Sequence, residues 1–381
     1  MLEIRVQDEG CRRQREAGDP VAARSWFRAA YRKRGHGLTA GERLGALYPA
    51  SCVLYLFLLS GCQLGYYGQA VKGHMDLMGA RQPVAEVVAD PQTPVAVRRQ
   101  LALAGDVLTF ADESLALPAR NVYQDYVHLR DDAVVWNVVA APPYSLEPRT
   151  WCYLLLGCLS YRGYFDRADA EALAEKLDAQ GQDTYVGGAI AYSTLGWFAD
   201  PLTTPMIDRS GPALVELLIH ELVHRRLYIR GDTRFNESLA TMVAREGTLR
   251  YLARHDLDVD MDRWQQRDRA RDAFLALVGE TREQLGELYA SGADEATMAE
   301  RKAALIEGLR ENFRARAERV PGLAAYAGFF EGPLNNARLN GVHDYYGLVG
   351  MFQDVLLSCG GHWDCFWEAV EVLADKEDWN A

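Results

Sequence analysis

The chain has 381 residues, 49% of them hydrophobic, enough to bury a large core as one big domain or two modest ones. Its net charge of −12 speaks against a nucleic-acid partner, because phosphate binding needs a basic face. The charge is uneven: residues 1–61 carry ten Lys/Arg against six Asp/Glu, so the acidic excess lies entirely in the remainder.

Taken in chain order, residues 1–43 are Arg-rich with no clear apolar period. They are expected to be an upstream extension or the result of a start codon set too early. Residues 44–61 read LGALYPASCVLYLFLLSG, an apolar run without charge, preceded by Arg43 and by Arg32, Lys33 and Arg34. A basic flank, a short apolar stretch and small residues at its end make a secretory signal. Leu59-Ser60-Gly61-Cys62 resembles a bacterial lipobox, which implies a lipid on Cys62 and a mature chain of 62–381 facing the periplasm from a membrane of the cell envelope. A buried core helix and a plain membrane anchor are the alternatives.

Of the cysteines Cys11, Cys52, Cys62, Cys152, Cys158, Cys359 and Cys365, the last four remain once the leader and Cys62 are set aside. An even number in an exported chain permits disulfides, in any of three pairings, and no Cys-x-x-Cys spacing suggests a zinc knuckle.

After Cys62 the pattern predicts helix to about Ala116. Val134–Val139 and Trp151–Leu156 are β-branched or aromatic runs separated by Pro142-Pro143 and read as strands. Ala168–Gln180 reads as a helix, and a further strand is expected around Ala189–Leu195. Helices are predicted over Pro212–Ile229, closed by Gly231, and from about Thr233 to His255, with helix again beyond Asp262. The fold class is α+β, helix-rich, with a small mixed sheet before the helix that starts at Pro212.

That helix carries His220-Glu221-Leu222-Val223-His224, an HExxH sequence. Positions i and i+4 share one helix face, so both imidazoles can reach one zinc ion. Glu221 stands next round the helix, where it can take the proton of an attacking water. The alternative is a pair of hydrogen-bonded structural histidines. A catalytic zinc wants a third protein ligand. Glu237, thirteen positions after His224, can supply it if the chain reverses through Arg230-Gly231-Asp232. Ala240 and Ala244 fall on the same face and allow close approach. The alternative for Glu237 is a surface carboxylate near a helix start.

HExxH followed by Asn236-Glu237-Ser238-Leu239-Ala240 resembles the gluzincin metallopeptidases, which implies a zincin-like fold. The longer string is similar to a bacterial family of predicted aminopeptidases, often lipoproteins, over roughly residues 59–375. Further matching pieces are Trp151-Cys152 with Gly157-Cys158, Tyr161–Phe165, Ala191–Phe198 and Asn335–Leu339. The resemblance implies a zinc peptidase acting on peptide substrates. The Gly-x-Met-Glu-Asn sequence that holds the substrate amine in large gluzincin aminopeptidases is absent, so "peptidase" is firmer than "aminopeptidase".

Two further elements are candidates. Ala191, Tyr192 and Ser193 lie on the strand expected before the motif and could bind an extended peptide along a sheet edge, or belong to an ordinary internal strand. Downstream, Asn340–Tyr346 is expected to stand before a helix. Tyr345 is the first choice as oxyanion donor, with His343 and Tyr346 behind it, against a bland reading of packed aromatics. Two rival functions stand beside a peptidase: a catalytically silent zinc-binding envelope lipoprotein, and a zinc hydrolase of a non-peptide or cell-wall amide. The intact Glu221 favours chemistry over a scaffold.

Overall fold

The computed structural model describes residues 61–153, 157–191, 200–255 and 261–375. Contacts divide the chain into two compact units, Met1–Gly65 and Tyr66–Ala381. The leader and lipobox residues up to Ser60, and the side chain of Cys62, fall outside the described residues. Among the described residues, no helix is long and apolar enough to cross a membrane.

Helix α1 (Gly61–Gly79) is followed by β1 (Gln82–Pro83), α2 (Val84–Ala89) and α3 (Val95–Ser114). The helix expected to run unbroken to Ala116 is therefore interrupted twice. Pro83 and Pro94 take the N-cap positions of α2 and α3. Proline has no N–H for a continuing helix but suits a helix start.

The strands β2 (Asp125–Val127), β3 (Val135–Ala141), β4 (Trp151–Tyr153), β5 (Gly157–Leu159), β6 (Tyr161–Tyr164), β7 (Asp183–Ala189) and β8 (Leu202–Thr203) all precede the HExxH sequence. Among the described residues they form three small sheets rather than one: β1-β2-β8, β6-β3-β7 and β4-β5. Only the first is mixed, with β1–β2 antiparallel and β2–β8 parallel. Pro142 and Pro143 follow directly on β3, where neither can donate to a ladder. Helix α4 (Arg167–Asp178) buries Ala170, Ala174 and Leu177 against Val138 and Ala140 of β3. Its N-cap is Asp166, which accepts from the Ala168 N–H at 2.8 Å.

Of the strand expected around Ala189–Leu195, residues 192–195 lie outside the described residues and Ile190 and Ala191 are in no strand; β7 ends at Ala189 and pairs with β3 from Val135↔Ala189 to Ala141↔Asp183. Gly187 and Gly188 fit this strand because neighbours come close: a Cβ on Gly188 would meet that of Ala133 at 2.8 Å. Ala191 is half-buried against the main core. Tyr192 and Ser193 lie outside the described residues.

Beyond α5 (Thr204–Ile207) the chain is helical, as expected: α6 (Gly211–Arg226), α7 (Thr233–Arg254), α8 (Met261–Ala290), α9 (Glu295–Ala317), α10 (Ala327–Phe330), α11 (Asn336–Tyr346), α12 (Val349–Ser358) and α13 (Trp363–Ala374). The main core joins α3, α6, α7, α12 and α13 through residues such as Leu108, Leu218, Phe235, Phe352 and Trp367. A second cluster joins α8 and α9 through Phe274, Leu277, Leu309 and Phe313. The four cysteines pair locally, Cys152 with Cys158 and Cys359 with Cys365. The first pair lies directly across β4 and β5.

Candidate metal centre

Helix α6 starts with Gly211-Pro212 and buries Leu214, Leu218 and Leu222 on its core face. It ends at Arg226, three residues before the expected Ile229, because Leu227 is extended at φ −147° and ψ 128°. The early end leaves a short connection to α7, whose N-cap Asp232 accepts from the Phe235 N–H at 2.9 Å. Gly231 turns the chain with φ +83°, a conformation that costs glycine little. Asn236 then closes the connection: its side chain donates to the Ile229 carbonyl and accepts from the Ile229 N–H, both at 2.8 Å.

On α7, Glu237, Ala240, Ala244 and Gly247 follow helical spacing along one stripe. Ala240 and Ala244 are buried, and a Cβ on Gly247 would meet Ile219 of α6 at 3.1 Å. Small residues here let the two helices approach, which brings Glu237 onto the histidines. The Nε2 of His220 lies 3.2 Å from Glu237 Oε2, and the Nε2 of His224 lies 3.7 Å from it. The two Nε2 atoms are 3.3 Å apart. The ligand-capable atoms of all three residues lie within 4.8 Å of one another.

This group fits a metal ion on its chemistry. Two imidazole nitrogens and a carboxylate oxygen, each able to offer a lone pair, converge within 4.8 Å of one another. Two histidines and a glutamate are also a donor set of catalytic zinc. His224 is 8% exposed, and its Nδ1 is buried without a hydrogen bond. Burial lowers the basicity of His224, but the Glu237 carboxylate outweighs it and raises the imidazole above its ordinary value. Burial pushes the Glu237 carboxyl up, yet His224 and His220 together hold it well below the usual carboxylate range. Glu221 is partly buried beside them. Burial raises its carboxyl, while the two histidines oppose the shift.

Asn340–Tyr346 forms the second half of α11 rather than the approach to a helix. The cap is Asn335, whose side chain accepts from the Arg338 N–H at 3.1 Å, so the helix begins earlier than its apolar pattern suggests. Tyr345 reaches the centre: its ring stacks on His220 with centroids 6.0 Å apart and planes 19° from parallel. The charge of Glu237 pushes its phenol well above the ordinary value. Burial raises the Tyr346 phenol, and the charges acting on it are Arg271, Glu216 and Arg267 rather than Glu237. His343 is driven down to about 4, first by burial and then by Arg282 and Arg234.

Two residues to which the sequence assigned no role also border the centre. Burial and the charges of Glu237, Tyr228 and Glu221 raise the Tyr161 phenol. Asp344 is pushed up to about 6 by burial, which Ser160 opposes by hydrogen bonding and Glu237 reinforces. Tyr161 lies in the matching piece Tyr161–Phe165 and Asp344 in Asn340–Tyr346, but each arrives from an element remote in sequence from α6, so no spacing ties either to the histidines.

The structure thus defines a helix-rich α+β protein in which a helical hairpin gathers two histidines and a glutamate into one group able to hold a metal. The chain belongs to the family described as "Putative aminopeptidase", whose model matches residues 65–380. No curated protein and no solved structure matches it.

Proposed function

We propose that this protein is a zinc-dependent peptidase of zincin-like fold, with His220, His224 and Glu237 as ligands and Glu221 as general base. The observation that carries the reading is the meeting of both His Nε2 atoms with Glu237 Oε2, while Glu221 sits one residue along the same helix. The family description supports a peptide substrate.

Zinc held there supplies Lewis acidity, which lowers the pKa of water and polarises a carbonyl. Glu221 accepts a proton from the water as its oxygen adds to the scissile carbonyl carbon. As the C–N bond breaks, Glu221 passes that proton to the leaving amine. Tyr345 donates its O–H to the oxyanion formed on the carbonyl oxygen. Ala191, with Tyr192 and Ser193 beyond it, is the proposed contact for an extended substrate. The lipobox-like Leu59-Ser60-Gly61-Cys62 supports a lipid anchor at Cys62 and a place on the periplasmic side of a bacterial envelope.

The test is Glu221→Gln, assayed for zinc and for hydrolysis of a peptide library on one sample. Gln keeps the shape and is no ligand, so zinc should stay at one per chain. The rate should fall roughly 10²–10⁴-fold, the worth of a general base. Full zinc with an unchanged rate would refute the assignment.

A further inference from the structure

Helix α1 carries apolar side chains on two faces. The inner face packs on the body of the protein. The Arg162 guanidinium lies over the Tyr66 ring, 3.8 Å from its centroid. Gln69 donates to the Gly163 carbonyl at 3.4 Å and accepts from the Phe165 N–H at 3.2 Å. Leu77 is buried with Val127, Val134 and Val135. The outer face shows Tyr67, Val71 and Met75, which are 42%, 63% and 63% exposed. Residues four apart stand one above the other on a helix, so the three form one continuous row, about 12 Å long at 1.5 Å per residue. Among the described residues, seven large hydrophobic side chains are exposed, and three of them make this row. Single exposed apolar residues are ordinary, but an aligned row on a helix that already has a buried face marks a contact surface.

Its place in the chain says what covers it. Tyr67 follows Cys62 by five residues, and five residues span at most about 18 Å in any conformation. A lipid on Cys62 therefore keeps Tyr67 close to the bilayer surface. The tether makes docking intramolecular, so a short apolar row suffices. Tyrosine suits the bilayer interface, where its ring is apolar and its hydroxyl wet. Lys72 and Asp76, exposed beside the row, pair with each other at 2.6 Å. Their charges cancel, so this face does not depend on anionic lipid.

We propose that α1 lies flat on the bilayer that carries the Cys62 lipid, with Tyr67, Val71 and Met75 sunk at the headgroup boundary. The inference rests on the lipid anchor proposed at Cys62 and is independent of the zinc chemistry. Its consequence is orientation. Gln69 holds Gly163 of β6, the strand that begins with Tyr161 at the border of the metal centre. A docked α1 therefore keeps that centre at one height and tilt above the bilayer, instead of letting the body turn on a flexible tether.

The experiment uses the full chain, processed and lipid-bearing, reconstituted in phosphatidylcholine vesicles. A nitroxide is placed on Val71→Cys or Met75→Cys, with Leu357→Cys, 75% exposed on α12, as the control site. Oxygen concentrates in the bilayer and a nickel chelate in water, so the ratio of their collision rates with the label reports burial in lipid. At 71 and 75 that ratio should exceed the control severalfold, and neither high salt nor added anionic lipid should change it. Adding Tyr67→Ser/Val71→Ser to the chain labelled at 75 should return the label to water at an unchanged melting temperature. A label that stays in lipid there has inserted by itself, which overturns the proposal. Labels open to nickel on a lipid-bearing chain overturn the docking and leave the anchor standing. A chain without fatty acid on Cys62 overturns both. Labels shielded from both reagents and broadened by each other place a second copy on the row, and again the proposal fails.

Discussion

Asn236 holds both backbone groups of Ile229, donating to the carbonyl and accepting from the N–H at 2.8 Å each. The pair fixes the return of the chain between α6 and α7, one residue ahead of Glu237. Asn236 is 1% exposed, so nothing from solvent replaces it. Asn236→Ala leaves two backbone groups without partners, at about 1–3 kcal/mol for each that stays buried. We expect a loss of about 2–4 kcal/mol in chemical denaturation, together with weaker zinc retention, since Glu237 loses its footing. A variant as stable as wild type would mean that the turn is set by Gly231 and Asp232 alone.

Glu237→Gln and His220→Ala should each remove most of the zinc. A ligand lost from a three-residue set lowers affinity steeply, whereas a surface carboxylate would not matter. Zinc per chain after dialysis against a weak chelator checks this. Full occupancy in Glu237→Gln would move the third ligand elsewhere.

Tyr345→Phe should lower kcat roughly 10²–10³-fold, the cost of one lost oxyanion donor, with zinc content unchanged. Tyr346→Phe is the matched control, because the charges acting on its phenol are Arg271, Glu216 and Arg267 and not Glu237. Equal effects of the two substitutions would assign them to packing of α11.

Gly157→Ala should disturb the centre from outside it. Gly157 has φ +78°, and an added Cβ would stand 2.9 Å from the backbone nitrogen of Gly231, in the turn that delivers Glu237. Strain of this kind is worth about 1–3 kcal/mol. A lower melting temperature with reduced zinc affinity is expected; Gly181→Ala, with φ +78° but open space around it, should destabilise without touching the zinc. Cross-strand Cys152–Cys158 holds the same hairpin, so its reduction should act in the same direction as Gly157→Ala.

Cys62→Ser should abolish fatty-acid labelling and release the protein from membranes. Undiminished labelling in the variant would remove the lipid anchor from the proposal and leave the chemistry as it stands.

The sequence by itself determined what local spacing can encode. His220 and His224 share a face because residues four apart on any α-helix do, and the small residues Ala240 and Ala244 mark the side of α7 that meets α6. Helical segments after Asp262 and the strand at Val135–Ala141 were legible for the same reason, since burial imposes a period on apolar residues. Helix ends were less so: α6 stops at Arg226, where Leu227 turns extended, and the Asn236–Ile229 bonds that close the connection follow no apolar period. The pairing of Asp183–Ala189 with β3 was not legible, because a strand's partner and register are set by tertiary contact rather than by β propensity. Only the tertiary structure decided which of His343, Tyr345 and Tyr346 faces His220, since the rotation of α11 is fixed by packing on α7 and β7. The same packing brought in Ser160, Tyr161 and Asp344, whose meeting depends on chain segments far apart in sequence and on no spacing within any of them.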